Sequence, residues 1–207
     1  MKRRNIILFC CLLVLSYSCS NKNEIRDGDL LFIVAEDHGL SSAISRVTQT
    51  EMKTNYEHVA IIRIDSDTIW VLDASPKEGT RKILLKDFMD ERGSAVYRYR
   101  LKGEYSNSIN RGWPLAEEML GKPYNFSYVW NDTSHYCSEF IYRMFENDSI
   151  FKLNPMTFID PETGEFDATW VAHYDSLGMA IPEGEPGCNP NGLAASDKLE
   201  FLGRFHL

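Results

Sequence analysis

The stretch "HVAIIRIDSDTIWVLDASP", residues 58–76, constrains the fold more than any other part of the chain. Two β-rich runs, 58–64 and 68–74, flank the short polar segment "DSD", the layout of a β-hairpin. Two polar residues break the apolar pattern. His58 stands at the entry of the first strand, and Asp73 follows four apolar residues near the exit of the second. If the strands pair through the turn, Asp73 lies beside His58 and accepts its ring N–H, which fixes the tautomer and supports the imidazolium. The competing readings are a satisfied strand-end histidine and a turn-forming acid before "SP".

The rest of the chain supplies further strands and a few helices. "DLLFIVA" (29–35) has strand length, and "SAVYRYRL" (94–101) alternates as a strand does. "GTRKILLKDFM" reads as a strand edge followed by a helical turn. In "HGLSSAISRVTQTEMKTNYE", Leu40, Ile44 and Val47 recur as on one side of a short helix. "SINRGWPLAEEML" is helical and is closed by Gly121 and Pro123. From Pro155 onward the chain is rich in Pro, Gly and Asp, with "LEFLGRF" as a last strand. The expected fold is one α+β domain with a long, loop-rich C-terminal part.

The N-terminus reads as a targeting segment. Lys2, Arg3 and Arg4 precede an apolar stretch from Ile6 to Leu15, too short to span a bilayer, and small residues then precede Cys19. The expected organisation is a lipoprotein-type signal peptide over 1–18, lipidation at Cys19, a tether over 19–26 and the folded domain over 27–207. Plain secretory cleavage is the alternative. Localisation is then the bacterial cell envelope, anchored to a membrane and facing the periplasm. Losing the three basic residues of 1–18 takes the formal charge from −8 to −11. That balance favours solubility and excludes a nucleic-acid partner, which would need a basic patch.

With Cys10 and Cys11 removed and Cys19 lipidated, only Cys137 and Cys188 remain in the folded body. They lie in unlike contexts, a helix start and a Pro/Gly/Asn loop, so two free thiols are expected in preference to one disulfide. In "HYCSEFIYRMF", Phe140, Ile141, Met144 and Phe145 share one helical face. Ser134 or His135 is expected to cap the helix, with Glu139 in its first turn. Cys137 then sits among unpaired N–H groups, which lower a thiol's pKa and suit an oxyanion. A merely packed cysteine is the other reading. No metal site is expected, because metal-ligand spacings such as HExxH, paired CxxC or a twelve-residue calcium loop are missing.

Five segments in order, "DGDLLF", "NYEHVAII", "VLDASP", "GKPYNFSY" and "YCSEFIYRMF", resemble the permuted papain-like hydrolases of the YiiX type. These are relatives of the NlpC/P60 peptidases and the lecithin retinol acyltransferases. The resemblance implies a circularly permuted papain-like fold with an antiparallel sheet packed on helices. It assigns Cys137 as nucleophile, His58 as base and Asp73 as the third polar residue, where the YiiX branch often has glutamate. It places Tyr124 near the thiol for substrate or oxyanion binding, and gives Asp29 a structural part at the first strand.

The implied function is a cysteine hydrolase cleaving an amide through a thioester, without a cofactor, on cell-wall peptides or small amino-acid amides. The alternatives are acyl transfer or lipid-ester cleavage by the same thiol, and a non-catalytic binding lipoprotein on a papain-like shell. Neither the oligomeric state nor the individual substrate is readable from the chain.

Overall fold

In the computed structural model, which describes residues 24–35, 39–48, 54–92 and 95–207, the hairpin forms as its sequence predicts. Strands β2 (Tyr56–Asp65) and β3 (Thr68–Ser75) pair antiparallel from Ile61↔Leu72 to Asp65↔Thr68. Ser66 in the two-residue turn takes a φ of +53°, as turns that match the twist of a hairpin require. Val59 and Ile61 face one core, while Ala60 and Ile62 face another. Burial on both faces explains why "HVAII" is continuously apolar instead of alternating.

The hairpin sits inside a six-stranded antiparallel sheet. β1 (Leu30–Val34), β4 (Gly79–Leu84), β5 (Val96–Leu101) and β6 (Leu199–Phe205) complete the order β4-β3-β2-β1-β5-β6. One face is covered by α2 (Leu85–Arg92) through Leu85 and Phe88. The other carries α3 (Asn107–Met119) and α4 (Cys137–Phe145). The two helices approach closely at Gly112, where a Cβ would stand 2.7 Å from the Met144 carbonyl oxygen. Nine residues are too few for α4 to persist alone in water. Phe140 and Ile141, both fully buried, hold it to the sheet with roughly 1.5–3 kcal/mol each.

The C-terminal part is more ordered than its composition suggests. α5 (Ala168–Leu177) packs Trp170 and Tyr174 against α1 (Gly39–Val47) and Phe158, and a short helix, α6 (Pro190–Ala194), leads towards β6. Asp167 caps α5 by accepting from the Thr169 N–H at 2.9 Å, and Gly178 closes it with a left-handed φ of +64°. Asp29 is wholly buried under Arg98 and Arg100, the structural part expected of it. Contacts begin before Asp27, since Ile25 already packs on the α2-side core. The signal segment and Cys19 lie outside the described residues. Among the described residues, no helix is long and apolar enough to cross a membrane.

Candidate active site

Cys137 is the first residue of α4, and the turn before it is locked from inside. Tyr136, in extended backbone, precedes the helix, and its N–H donates to Glu139 Oε2 at 3.3 Å. This is the returning half of a capping box. Glu139 is fully buried and also accepts from Arg143 Nε at 2.8 Å, with His135 Nδ1 at 3.2 Å. The capping expected of Ser134 or His135 is therefore not found. Ser134 donates to Asn131 Oδ1 instead, and the His135 ring is drawn to Glu139. Ser138 does not cap either: its hydroxyl donates to the Cys188 carbonyl at 3.0 Å.

His58 and Asp73 meet because their strands part. Register between β2 and β3 stops at Ile61↔Leu72, while β2 reaches back to Tyr56 and β3 on to Ser75. Across the gap, His58 Nε2 lies 2.8 Å from Asp73 Oδ2, both side chains almost completely buried. Asp73 Oδ1 accepts from Arg81 Nε at 2.8 Å, and Oδ2 accepts from Arg92 at 3.1 Å. Burial alone would raise the Asp73 pKa, but hydrogen bonds from His58 and Arg81 bring it down from 3.8 to about 2. A carboxyl whose folded pKa is depressed stabilises the fold above its unfolded value and loses that contribution as pH falls through the folded one. Wild-type stability is therefore expected to fall between pH 3.8 and about 2 by on the order of 2 kcal/mol on this account. Urea midpoints of Asp73→Asn over the same range should lack that component, and an unchanged acid loss would contradict the assignment.

The thiol faces the same imidazole. Sγ lies 4.0 Å from the Glu57 carbonyl oxygen, and His58 is its principal electrostatic partner. With Nε2 committed to Asp73, Nδ1 is the ring nitrogen left for sulfur. Burial opposes ionisation of Cys137, but the His58 charge and hydrogen bond, with the N–H groups of Val59 and Ser138, carry its pKa below the usual thiol value. For His58, burial and the Arg92 charge work against protonation. Cys137 and Asp73 outweigh them and raise its pKa.

Tyr124 reaches the thiol on a loop pinned to β4. Thr80 N–H donates to the Lys122 carbonyl at 2.8 Å, and the Lys122 N–H returns to Thr80 Oγ1 at 2.8 Å. Gly79, with φ +75°, permits the approach, since a Cβ there would stand 2.2 Å from that carbonyl oxygen. Burial, with Tyr128 and Cys137 nearby, holds the Tyr124 phenol well above its ordinary pKa, so it remains a donor. Cys137 and Tyr124 open on a cavity of about 300 Å³ walled by Tyr128, Tyr136, Met156, Phe158 and Trp170. Glu57 is the one charged residue in its lining among the described residues.

Three features of this site carry no signal in the sequence reading. Arg81 and Arg92 reach Asp73 only because β4 and α2 fold back over the hairpin. Tyr128, at a left-handed φ of +56°, is aimed into the cavity by a turn in which Asn125 accepts from Ser127 and donates to the Val129 carbonyl. Cys188 is a free thiol, as is Cys137, yet it lines the same cavity. Burial pushes its pKa up to about 12, with Sγ 3.8 Å from Tyr136 Oη. Its loop is tied down by the buried Asn191, which accepts from the Tyr56 N–H at 2.7 Å and donates to Thr48 at 2.9 Å. An asparagine in "NPNG" reads as a turn residue, so the clamp was not visible in the chain.

The sequence matches, over residues 24–203, the family described as permuted papain-like amidase enzyme, YaeF/YiiX, C92 family. It is 29% identical over 151 residues to the uncharacterized protein YiiX of Escherichia coli (strain K12), covering 71% of this chain and 68% of that one. The structure resembles the crystal structure of a protein described as metalloprotein YiiX from Escherichia coli O157:H7. The TM-score is 0.68 at 23% identity, over 85% of this chain and 95% of the other. Among the described residues of this chain, no group of three or more His, Cys, Asp or Glu side chains could hold a metal ion, so these residues do not fit one. With an α+β fold shared along most of both chains and a sequence match spanning nearly the whole described region, this protein belongs to the permuted papain-like amidase family.

Proposed function

We propose that this protein is a cysteine amidase that works through a thioester on Cys137, exported and held at the cell envelope by a lipid on Cys19. The observation that carries the catalytic reading is the line Asp73–His58–Cys137 ending in the wall of a cavity. His58 Nδ1 takes the thiol proton, and sulfur attacks the amide carbonyl carbon. N–H groups at the start of α4 and the Tyr124 hydroxyl receive the oxyanion. His58 then protonates the departing amine, leaving the acyl group on sulfur, and afterwards activates water that releases the acid and restores the thiol.

The walls bear on the substrate. Aromatic and aliphatic side chains, with Glu57 the one acidic residue among the described lining residues, favour an apolar or amine-bearing group and disfavour an acidic one. Small amino-acid amides therefore suit the cavity better than the carboxylate-rich portions of cell-wall peptides. The apolar lining also supports a second reading, transfer of the acyl group to an amine in place of water. Product analysis with and without an added amine separates the two.

The test is mass spectrometry of the full chain after a panel of acyl-amide and activated-ester probes at neutral pH. One acyl group should appear on Cys137, none on Cys188, and none in Cys137→Ser. Labelling of Cys188 alone would remove the catalytic reading. The intact mass of protein recovered from membranes tests the anchor at once. A chain starting at lipidated Cys19 is expected, and an unlipidated chain in the aqueous fraction would rule the anchor out.

A further inference from the structure

His58 shares its carboxylate with a permanent cation. Arg92, the last residue of α2, places one guanidinium nitrogen 3.1 Å from Asp73 Oδ2, the oxygen that also meets His58. The same nitrogen lies 2.9 Å from His58 Nε2. Arginine only donates, and an imidazole that is to take a proton on Nδ1 carries its own on Nε2. The 2.9 Å contact therefore sets two donors side by side on one acceptor oxygen. The arrangement is more than surface packing. The Arg92 side chain is only 18% exposed, and its Nε is buried without a hydrogen-bond partner. Its guanidinium lies 5.4 Å from the centre of the Phe88 ring, which itself flanks His58 at 6.4 Å. The side chain thus leaves one donor unsatisfied in order to bring its tip to the His58–Asp73 pair.

We propose that Arg92 is a positioning residue that shares the Asp73 carboxylate with His58, keeps the ring's Nε2 proton on that oxygen with Nδ1 towards Cys137, and limits how strongly the site holds the imidazolium. The inference rests on the amidase reading given above. The groups facing the imidazole are Asp73 from β3, Arg92 from α2 and Cys137 from α4. Arg81 from β4 stands behind Asp73, and Tyr124 stands beyond the sulfur. Asp73 and a Cys137 thiolate favour the imidazolium, and Arg92 is the group that opposes it by charge. The opposition has a chemical use. A less stable imidazolium is a stronger acid, better able to protonate an amine leaving group.

Arg92→Met removes the charge and keeps much of the volume. With Cys137→Ser in both proteins, so that the ring titrates without the thiol, the His58 pKa followed by ring ¹⁵N shifts should rise by about one unit on Arg92→Met. Placed in a His58→Ala background, the same substitution should change the rate of Cys137 alkylation by iodoacetamide by less than about twofold, since the effect runs through the ring. A His58 pKa that stays put, or falls, overturns the proposal. So does a change of more than about twofold in the His58→Ala background. Ring ¹⁵N spectra of His58 in the wild-type protein give an answer that does not depend on the variant folding. Protonated Nε2 in the neutral ring is expected, whereas protonated Nδ1 would mean that Arg92 donates to Nε2 and the proposal is wrong. If His58→Ala itself costs neither labelling nor turnover, the amidase reading fails, an outcome distinct from a failure of Arg92 alone.

Discussion

His58→Ala is expected to slow acyl transfer to Cys137 by about a thousandfold at pH 7, and with it any turnover that passes through the thioester. The size follows from what the thiol would have left. Cys137 is 5% exposed, and burial by itself favours the neutral thiol. The forces that overcome burial are headed by the His58 charge and hydrogen bond, with backbone N–H groups of Val59 and Ser138 behind them. Removing the ring leaves only the weaker set, so the thiolate population falls just as the proton acceptor disappears. Alkylation reports the first loss and acyl-enzyme formation reports both, so acyl transfer should fall further than alkylation. The fold should tolerate the change, because Asp73 keeps Arg81 and Arg92 as partners. A melting temperature close to wild type with a thousandfold slower acylation fits the reading. Acylation within about twofold of wild type would end it.

The hairpin shows why part of the site could be read from the chain. A two-residue turn sets register as far as Ile61↔Leu72, and counting back from "DSD" brings the strand ends that carry His58 and Asp73 side by side, although it sets Asp73 opposite Ala60 and leaves the last approach to the parting of the strands. Helix α4 was equally legible, because its apolar face and its start are written in consecutive residues. What periodicity does not encode is where one finished element lands on another. Arg92 meets Asp73 through the docking of α2, and Cys188 enters the cavity wall through a clamp by Asn191 and Ser138. The misplaced helix cap has the same origin. Ser134 has the right chemistry two residues too early, but Asn131 engages it locally, and Glu139 takes over the Tyr136 N–H from inside the helix. The outermost shell of the site is thus a tertiary product, and it holds the groups that tune the reactive ones.

Glu139→Ala is expected to destabilise the protein by about 3 kcal/mol, the scale for removing one member of a buried ion pair. Near the transition this is a fall in melting temperature of about 10 °C for a domain of this size. The carboxylate is fully buried and is the common acceptor for the Arg143 guanidinium and the Tyr136 N–H, with the His135 ring and the Asn125 amide beside it. Arg143 keeps other partners, the Asp132 carboxylate at 3.0 Å and the Asn131 carbonyl at 2.6 Å, which holds the cost near the lower end of the range. His135 fares worse, since its Nε2 already lacks a partner and the ring is 1% exposed. Glu139→Gln retains one carbonyl oxygen and should lose about half as much. The effect should reach the chemistry by way of Tyr136. Its N–H fixes the start of α4, and its hydroxyl accepts from the Cys188 N–H at 3.2 Å, so loosening it disturbs Cys137 and the facing wall together. Calorimetry of the two variants beside wild type tests the stability claim. A change below about 3 °C for Glu139→Ala would show that the buried carboxylate is not what fastens the helix carrying Cys137.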